Sequence, residues 1–341
     1  MKDRRIGLLG YGAALLVALV LPLVIYPALA LDMVLWGLFA VALDLLLGYA
    51  GLLSFGHAMF WGAAGYAAGY LSREVAGLPF PLAVLFGVAV AVALALPVGY
   101  LSVRRSGIYF AMVTLAFAQM VFYIVNEWRS VTGGENGLQG IPRQLFGLPL
   151  ADPTVFYYAA LPFALFGFWF AHRIVHSPFG HVLVAIRDNE ARAQALGYPT
   201  RRYKLLAFAL SAGLSGLAGS LFALGHGFAA LELVHWTTSG IVVMMTILGG
   251  IGTLWGSIVG AVLVLGLRDV LSRWTDAWGV VTGVIFVIIV LSFRQGIWGT
   301  LVERRGRRVR AVPRGRAAEA GPAEPTVRPV SNPTGGERGP A

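Results

Sequence analysis

The sequence predicts an all-α fold, a polytopic membrane bundle of about ten transmembrane helices with two glycine-rich breaks and a cytoplasmic helical connector. Of its 341 residues, 57% are apolar and only 12% are charged, and the mean hydropathy is +0.74. In a soluble domain about a quarter of the residues carry charge. Apolar runs of about 20 residues, enough for a helix to cross about 30 Å of hydrocarbon, recur along the chain. These features exclude an ordinary soluble enzyme.

The first apolar run has two possible interpretations. It follows a basic start and precedes Ala28-Leu29-Ala30, whose small-x-small form is typical of a secretory signal cleavage site. However, the run is about 20 residues long, whereas the apolar core of a signal has about 7 to 15. A retained first helix is therefore favoured. The predicted spans lie near Ile6 to Tyr26, Asp32 to Leu47, Ala58 to Leu71, Pro81 to Leu101, Tyr109 to Val125, Thr154 to Ala171, Leu205 to Leu224, Ser239 to Leu248, Trp255 to Leu267 and Val280 to Phe293.

Basic residues predict the orientation, because cytoplasmic loops are rich in Lys and Arg. With an even number of spans, every basic connector can lie on the cytoplasmic side, together with both termini. Residues 1–300 are predicted to form the membrane domain, and residues 301–341 a disordered basic cytoplasmic tail without apolar periodicity. Anionic lipid explains the arginines of this tail best, and partner binding is the alternative.

Several classes of chemistry are not expected. The chain has no cysteine, so it has no thiolate metal site and no cysteine nucleophile. Its histidines lack a nearby carboxylate in a metal-binding pattern, and it contains no phosphate-binding loop of the Gly-x-x-x-x-Gly-Lys-Ser/Thr type. The basic patches lack the aromatic platforms that bind nucleic acid strands. We expect no cofactor, no metal, no catalytic residue and no nucleic-acid partner.

Glycine interrupts the apolar pattern in two places, Gly48 to His57 and Leu248 to Ser257. Unwound backbone at membrane depth is tolerated only where protein or a water-filled cavity surrounds it. Paired interruptions point to a transport pathway, and their shared Gly-x-x-Gly start suggests a parallel internal duplication. Close helix packing through small residues, as at Gly65-x-x-x-Gly69 and Ser215-x-x-x-Gly219, is the alternative, and both can hold.

Polar side chains near these breaks are candidates for function. Asp44 is either a functional carboxylate at depth or a residue close to the membrane face. His57 would line a route or, as the favoured alternative, be a hydrogen-bonded histidine at a helix start. Thr114 would face a cavity or bond to a neighbouring helix.

The basic connector, residues 172–204, is longer than a joint between two helices needs to be. Ser177 followed by Pro178 predicts a helix start, Asp188 or Asn189 would cap a second short helix, and Gly197 would end it. The second helix and its neighbourhood combine small apolar side chains with charges of both signs, a composition that predicts a docking surface. The apolar members are Ala185, Ile186, Ala193 and Leu196, and the charged ones include Arg187, Asp188 and Glu190.

Five separated blocks, in the same order, resemble the M-type integral-membrane permeases of branched-chain amino acid ABC importers. The blocks are Gly48 to His57, Gly107 to Ala116, Thr132 to Leu138, Ser177 to Gly197 with Tyr203-Lys204 beyond it, and Thr246 to Gly256.

The resemblance implies a multi-pass subunit of the bacterial inner membrane. Its expected partners are a second permease subunit in a heterodimer, two ATP-binding cassette ATPases, an extracytoplasmic substrate-binding protein and membrane lipid. It also implies that the region Gly180 to Gly197 is a coupling helix in a cleft of the ATPase. The expected coupling residues are Gly180, Ala185, Ile186, Arg187, Asp188, Glu190, Ala193, Leu196 and Gly197.

The expected mechanism is alternating access, driven by ATP hydrolysis in the partner subunits, with branched-chain or related hydrophobic amino acids as substrates. Urea or a short amide is an alternative substrate. An ion-coupled secondary transporter, with Asp44 as its coupling site, is the alternative class. The pathway candidates are Ser54, Phe55, His57, Thr114, Thr246, Gly249, Gly250 and Gly252.

Overall fold

A computed structural model describes residues 15–75, 77–145, 148–149, 152–274, 277–292 and 296–300. The predicted tail, residues 301–341, and the first part of the first predicted span lie outside the described residues. The helices are α1 (described over Leu15–Val24), α2 (Pro27–Asp44), α3 (His57–Glu74), α4 (Phe80–Ser102), α5 (Ile108–Glu127), α6 (Arg129–Thr132), α7 (Pro153–Val175), α8 (Pro178–Asp188), α9 (Glu190–Ala195), α10 (Thr200–His226), α11 (Trp236–Gly249), α12 (Leu254–Ser272) and α13 (Trp278–Ser292).

Strands are short in the described part of the chain, with two residues each. β1 (Leu138–Gln139) pairs antiparallel with β4 (Phe228–Ala229), and β2 (Gln144–Leu145) pairs antiparallel with β3 (Leu148–Pro149). The predicted all-α helix bundle is therefore confirmed.

Seven segments are long and apolar enough to cross a membrane, which makes the chain an integral multi-pass protein. The sequence predicted ten spans, and each of them overlaps a helix of the described structure. The count of ten is not reproduced for three helices: α1 is described only over Leu15–Val24, α11 has only 14 residues, and α3 is too rich in glycine and alanine to reach the same apolarity. The seven segments are Pro27–Tyr49, Phe80–Ser102, Ile108–Glu127, Pro153–Val175, Thr200–His226, Leu254–Ser272 and Gly279–Thr300.

The bundle is organised around α2 and α10. Nearly every residue of α2 from Leu29 onward is buried, because α7, α10, α11 and α12 all pack against it. A cluster of aromatic rings, Trp36, Phe39, Trp61 and Phe222, fills the space between α2, α3 and α10, with the Phe39 and Trp61 rings stacked at 4.6 Å between centroids.

Close approach of α3 and α10 requires glycine. A Cβ atom on Gly219 would collide with the backbone of Trp61, and one on Gly65 would lie 3.0 Å from the Gly219 carbonyl oxygen. The two small-residue faces recognised in the sequence therefore do pack against each other here.

We predict that Gly219→Ala lowers the free energy of unfolding by about 1–3 kcal/mol, because the added methyl group overpacks a backbone-to-backbone contact. The measurement is the apparent melting temperature of the purified protein in detergent. Gly240→Ala in α11 is the matched control, since a Cβ there meets no atom within 4 Å. A melting temperature for Gly219→Ala equal to that of the control would contradict the packing.

Candidate functional site

The first break follows α2. The helix widens at Asp44 into a π-helical turn, Leu45–Tyr49, and residues 50–56 are not helical until α3 begins at His57. Gly51 takes a φ of 70°, in the left-handed region that favours glycine. Isolated π-helical turns are frequent at functional sites, and the predicted interruption of this span is confirmed.

The second break separates α11 from α12. α11 ends at Gly249 and α12 begins at Leu254, with Gly250 and Gly252 at φ values of 128° and 76°. A Cβ on Gly249 would collide with the carbonyl of Gly256 in the first turn of α12. The two helices can therefore approach each other only because both positions lack side chains.

The two breaks touch each other through Asp44. This residue is fully buried, and its Oδ1 accepts a hydrogen bond of 2.7 Å from the backbone N–H of Gly252. A Cβ on Gly48 would collide both with that carboxylate oxygen and with the Gly252 nitrogen. The sequence predicted Asp44 to be either a functional carboxylate at depth or a residue close to the membrane face. Neither alternative included this contact, which joins residues 208 positions apart.

The polar pathway candidates lie around the breaks, and each is buried and hydrogen-bonded inside the protein. His57 Nε2 lies 2.7 Å from Ser211 Oγ, and that hydroxyl donates in turn to the carbonyl of Ala42. His57 is thus hydrogen-bonded at the start of α3. Ser54 Oγ accepts from the backbone N–H of Gly56 at 3.2 Å.

The two threonines belong to other helices that meet the same region. Thr114 in α5 donates to the carbonyl of Ala111 at 2.9 Å, and Thr246 in α11 donates to that of Val242 at 2.9 Å and lies 3.4 Å from the carbonyl of Ala40 in α2. Gly56 packs against the backbone of Thr114. Phe55 is half-buried. The polar side chains of Ser54, His57, Thr114 and Thr246 are all fully buried, and the Nδ1 atom of His57 has no hydrogen-bond partner among the described residues.

A separate apolar groove of about 530 Å³ opens between α4, α7 and α10, and its walls include Val88, Phe166 and Leu210. Its lining offers almost no polar surface. A zwitterion would find no partner for its charges there, so this groove is distinct from the polar candidates.

The connector consists of α8 and α9, as predicted. Ser177 Oγ accepts from the N–H of Gly180 at 3.4 Å, and Asn189, the second of the two proposed caps, accepts from the N–H of Arg192 at 2.9 Å. Gly197, with a φ of 87°, lies just beyond the end of α9. Gly180 sits so close to the end of α7 that a Cβ would collide with the carbonyl of Val175.

The exposure of the connector corrects part of the predicted docking surface. Ile186 is 2% exposed and Ala193 is 3% exposed, because both face the protein's own bundle. Both side chains are therefore covered within this chain and add no exposed apolar surface to the connector. Leu196 is 73% exposed, and Ala185, Asp188 and Gly197 are also exposed.

Two charged residues of α8 and α9 make contacts with other elements of the fold. Glu190 Oε2 lies 2.6 Å from Lys204 Nζ, and the lysine side chain is only 5% exposed. Arg187 Nη1 donates to the carbonyl oxygen of Gly48, so the connector touches the first break directly. No local signal in the sequence reveals this contact across 139 residues.

Comparison with known proteins identifies the family. The family model described as the permease component of branched-chain amino acid transport systems matches residues 25–290. The chain is 29% identical over 285 residues to LivM of Escherichia coli K12, a high-affinity branched-chain amino acid transport system permease protein, covering 75% of this chain and 66% of that protein. The LivM protein of Salmonella typhimurium is 30% identical with the same coverage. The chain thus spans slightly less than two thirds of the length of these two relatives.

A more distant group of relatives has another described cargo. LsrC of Klebsiella pneumoniae, an autoinducer 2 import system permease protein, is 31% identical over 162 residues, covering 43% of this chain and 44% of that protein. No solved structure matches the chain. The family match extends over both breaks, the connector and nearly all the membrane-spanning helices, and the chain belongs to the family of branched-chain amino acid transport system permease components.

Proposed function

We propose that this chain is the transmembrane permease subunit of an ABC importer of the bacterial inner membrane, which translocates branched-chain or related hydrophobic amino acids. The observation that supports this best is the direct contact of an exposed helical connector with a glycine break of the membrane domain. Separate ATPase subunits would dock on the connector and supply the energy. A second permease subunit, two ATPases and an extracytoplasmic binding protein would complete the assembly.

The orientation that this proposal requires places α8 and α9 in the cytoplasm together with both termini. The connector carries Arg173, Arg192, Arg201 and Arg202 as exposed residues, and this concentration of arginine supports a cytoplasmic location. Residues 1–300 would be the permease domain, with residues 172–204 as its coupling region.

Transport would proceed by alternating access. A ligand shifts a two-state equilibrium only when it binds the two states unequally, so the ATPases must favour one arrangement of the bundle in each nucleotide state. The pathway candidates lie in the two breaks, at the start of α3, and in α5 and α11; they are Ser54, Phe55, His57, Thr114, Thr246, Gly249, Gly250 and Gly252. Separation of α2, α5 and α11 would expose these polar groups between apolar walls. Polar groups suit the charged ends of an amino acid, and apolar walls suit its hydrophobic side chain.

The direct test is uptake by proteoliposomes. The chain would be reconstituted with its cognate permease, ATPases and binding protein. We expect these proteoliposomes to accumulate labelled leucine, isoleucine or valine only when ATP is present on the side of the membrane where the ATPases lie. The chain alone should show no uptake under a proton or sodium gradient. Competition by urea, short amides or autoinducer 2 would identify a different cargo, and gradient-driven uptake by the chain alone would contradict the proposal.

Asp44 separates the proposal from an ion-coupled carrier, because a buried carboxylate is what such a carrier would use. We predict that Asp44→Asn keeps ATP-driven uptake within a few fold, since the amide oxygen still accepts from Gly252 N–H. Asp44→Ala should lose about tenfold or more, the size expected when a hydrogen bond to a charged group is removed. Equal and complete loss in both variants would favour ion coupling.

Leu196 is the most exposed apolar side chain of the proposed docking surface. We predict that Leu196→Glu weakens co-purification of the ATPases by about tenfold, as expected for a charge placed in an interface core. Val75→Glu is the control, because Val75 is apolar, 43% exposed and lies in a connector predicted to face the other side. Equal ATPase recovery from both variants would exclude Leu196 from the interface.

A further inference from the structure

Arg187 connects the exposed connector with the buried first break. Its side chain is 38% exposed, and its Nη2 and Nε donate to Asp188 Oδ1 at 3.0 and 3.1 Å. Its Nη1 donates to the carbonyl of Gly48, in the π-helical turn that follows α2. One guanidinium group therefore holds an exposed carboxylate and a backbone carbonyl of the break at the same time.

The stem of Arg187 also packs on the break. An ideal Cβ on Gly51 would lie 2.7 Å from Arg187 Cγ and 3.4 Å from Arg187 Cβ. The backbone of residue 51 thus rests against the arginine methylenes without an intervening side chain. Any displacement of α8 would push or pull this segment directly.

The second break meets the same group. An ideal Cβ on Gly252 would lie 3.7 Å from Arg187 Nη1 and 3.6 Å from the carbonyl oxygen of Gly48. The N–H of Gly252 is bound to Asp44, one turn before Gly48. Arg187, Asp44 and the backbones of the two breaks therefore form one junction, which we call the arginine junction.

The chemistry of arginine suits this position. A guanidinium group presents five donors in a planar fork, so it can bind two acceptors at fixed angles. A hydrogen bond from a charged donor is about twice as strong as one between neutral groups. A lysine at 187 would keep the charge but could not hold both acceptors in this planar arrangement.

We propose that Arg187 is a positioning residue that transmits displacement of α8 to both glycine breaks through the arginine junction. This inference rests on the proposed function, in which α8 responds to the ATPases. It assigns Arg187 a role different from docking, because the guanidinium faces inward to Gly48. Replacement of Arg187 should therefore leave the ATPases bound to the permease but uncouple ATP hydrolysis from substrate transport.

The experiment uses the complete transporter in liposomes, with Arg187→Ala, Arg187→Lys and the control Arg105→Ala. Arg105 is an exposed arginine of the connector between α4 and α5, outside the arginine junction. For Arg187→Ala we expect a decrease of about tenfold or more in substrate imported per ATP hydrolysed, as for a lost charged hydrogen bond. Arg187→Lys should recover part of this ratio, and Arg105→Ala should stay within about twofold of the unmodified protein, as for an ordinary surface substitution. ATPase co-purification should be unchanged in all three.

A reversible disulfide between residues 51 and 187 distinguishes transmission from a purely structural role of Arg187. Only transmission predicts that forming and reducing the bond changes the ratio of transport to ATP hydrolysis. The chain has no cysteine, so Gly51→Cys combined with Arg187→Cys introduces a single pair. The 3.4 Å between the two Cβ positions is close to the roughly 3.5–4.5 Å of natural disulfides. We expect oxidation to raise the transport-to-hydrolysis ratio of this double variant above that of Arg187→Ala, and a reductant to reverse the gain. Gly51→Cys alone controls for strain at residue 51.

Four results would overturn the inference: normal coupling in Arg187→Ala, loss of ATPase binding together with coupling, failure of the cysteine pair to cross-link, or a cross-link that leaves the ratio at the Arg187→Ala level. Failure of the proposed function is distinguishable, because then the unmodified transporter itself would show no ATP-dependent uptake.

Discussion

The structure depends on one constraint, the need to satisfy backbone polar groups wherever a membrane helix is interrupted. Two breaks, after α2 and after α11, leave carbonyl and N–H groups without helical partners. Asp44 binds the N–H of Gly252 and Arg187 binds the carbonyl of Gly48, so each break has a backbone group paired with an ionisable side chain. In a medium without water, an unpaired backbone group would cost several kcal/mol. This explains why Asp44, an ionisable residue, lies fully buried in an otherwise apolar helix.

The same contacts relate the interior to the surface. Glu190 and Lys204 connect α9 with the start of α10, and Arg187 connects α8 with the π-helical turn that follows α2. The two short connector helices are therefore held by α10 and by the turn at the end of α2, and the bundle is organised around these two helices. Movement of such a connector would reach the centre of the bundle without passing through a flexible loop, which is what an externally driven permease requires.

The sequence predicted the helices, the two glycine breaks and the ends of α8 and α9, because these features depend on local chemistry: apolar run length, glycine, and a Ser-Pro start. It did not predict that Ile186 and Ala193 face inward. The sequence pattern of a short amphipathic helix identifies its apolar face, but it does not identify the surface that packs against that face. Nor did it predict the contacts of Asp44 with Gly252 or of Arg187 with Gly48, because each joins residues more than a hundred positions apart. The number of spans was uncertain because α11 is apolar but has only 14 residues, whereas α3 is long enough but rich in glycine and alanine.

The most direct measurement is the side of the membrane on which the connector lies. Ala195→Cys, at an exposed position of α9 in a chain without cysteine, can be labelled with a membrane-impermeant maleimide. Gly77→Cys, in the connector after α3, reports the opposite side. A cytoplasmic connector predicts that residue 195 reacts only in inside-out vesicles and residue 77 only in right-side-out ones. Labelling of residue 195 from outside intact cells would place the connector on the external side. This result would contradict the proposal that cytoplasmic ATPases dock on the connector and drive transport.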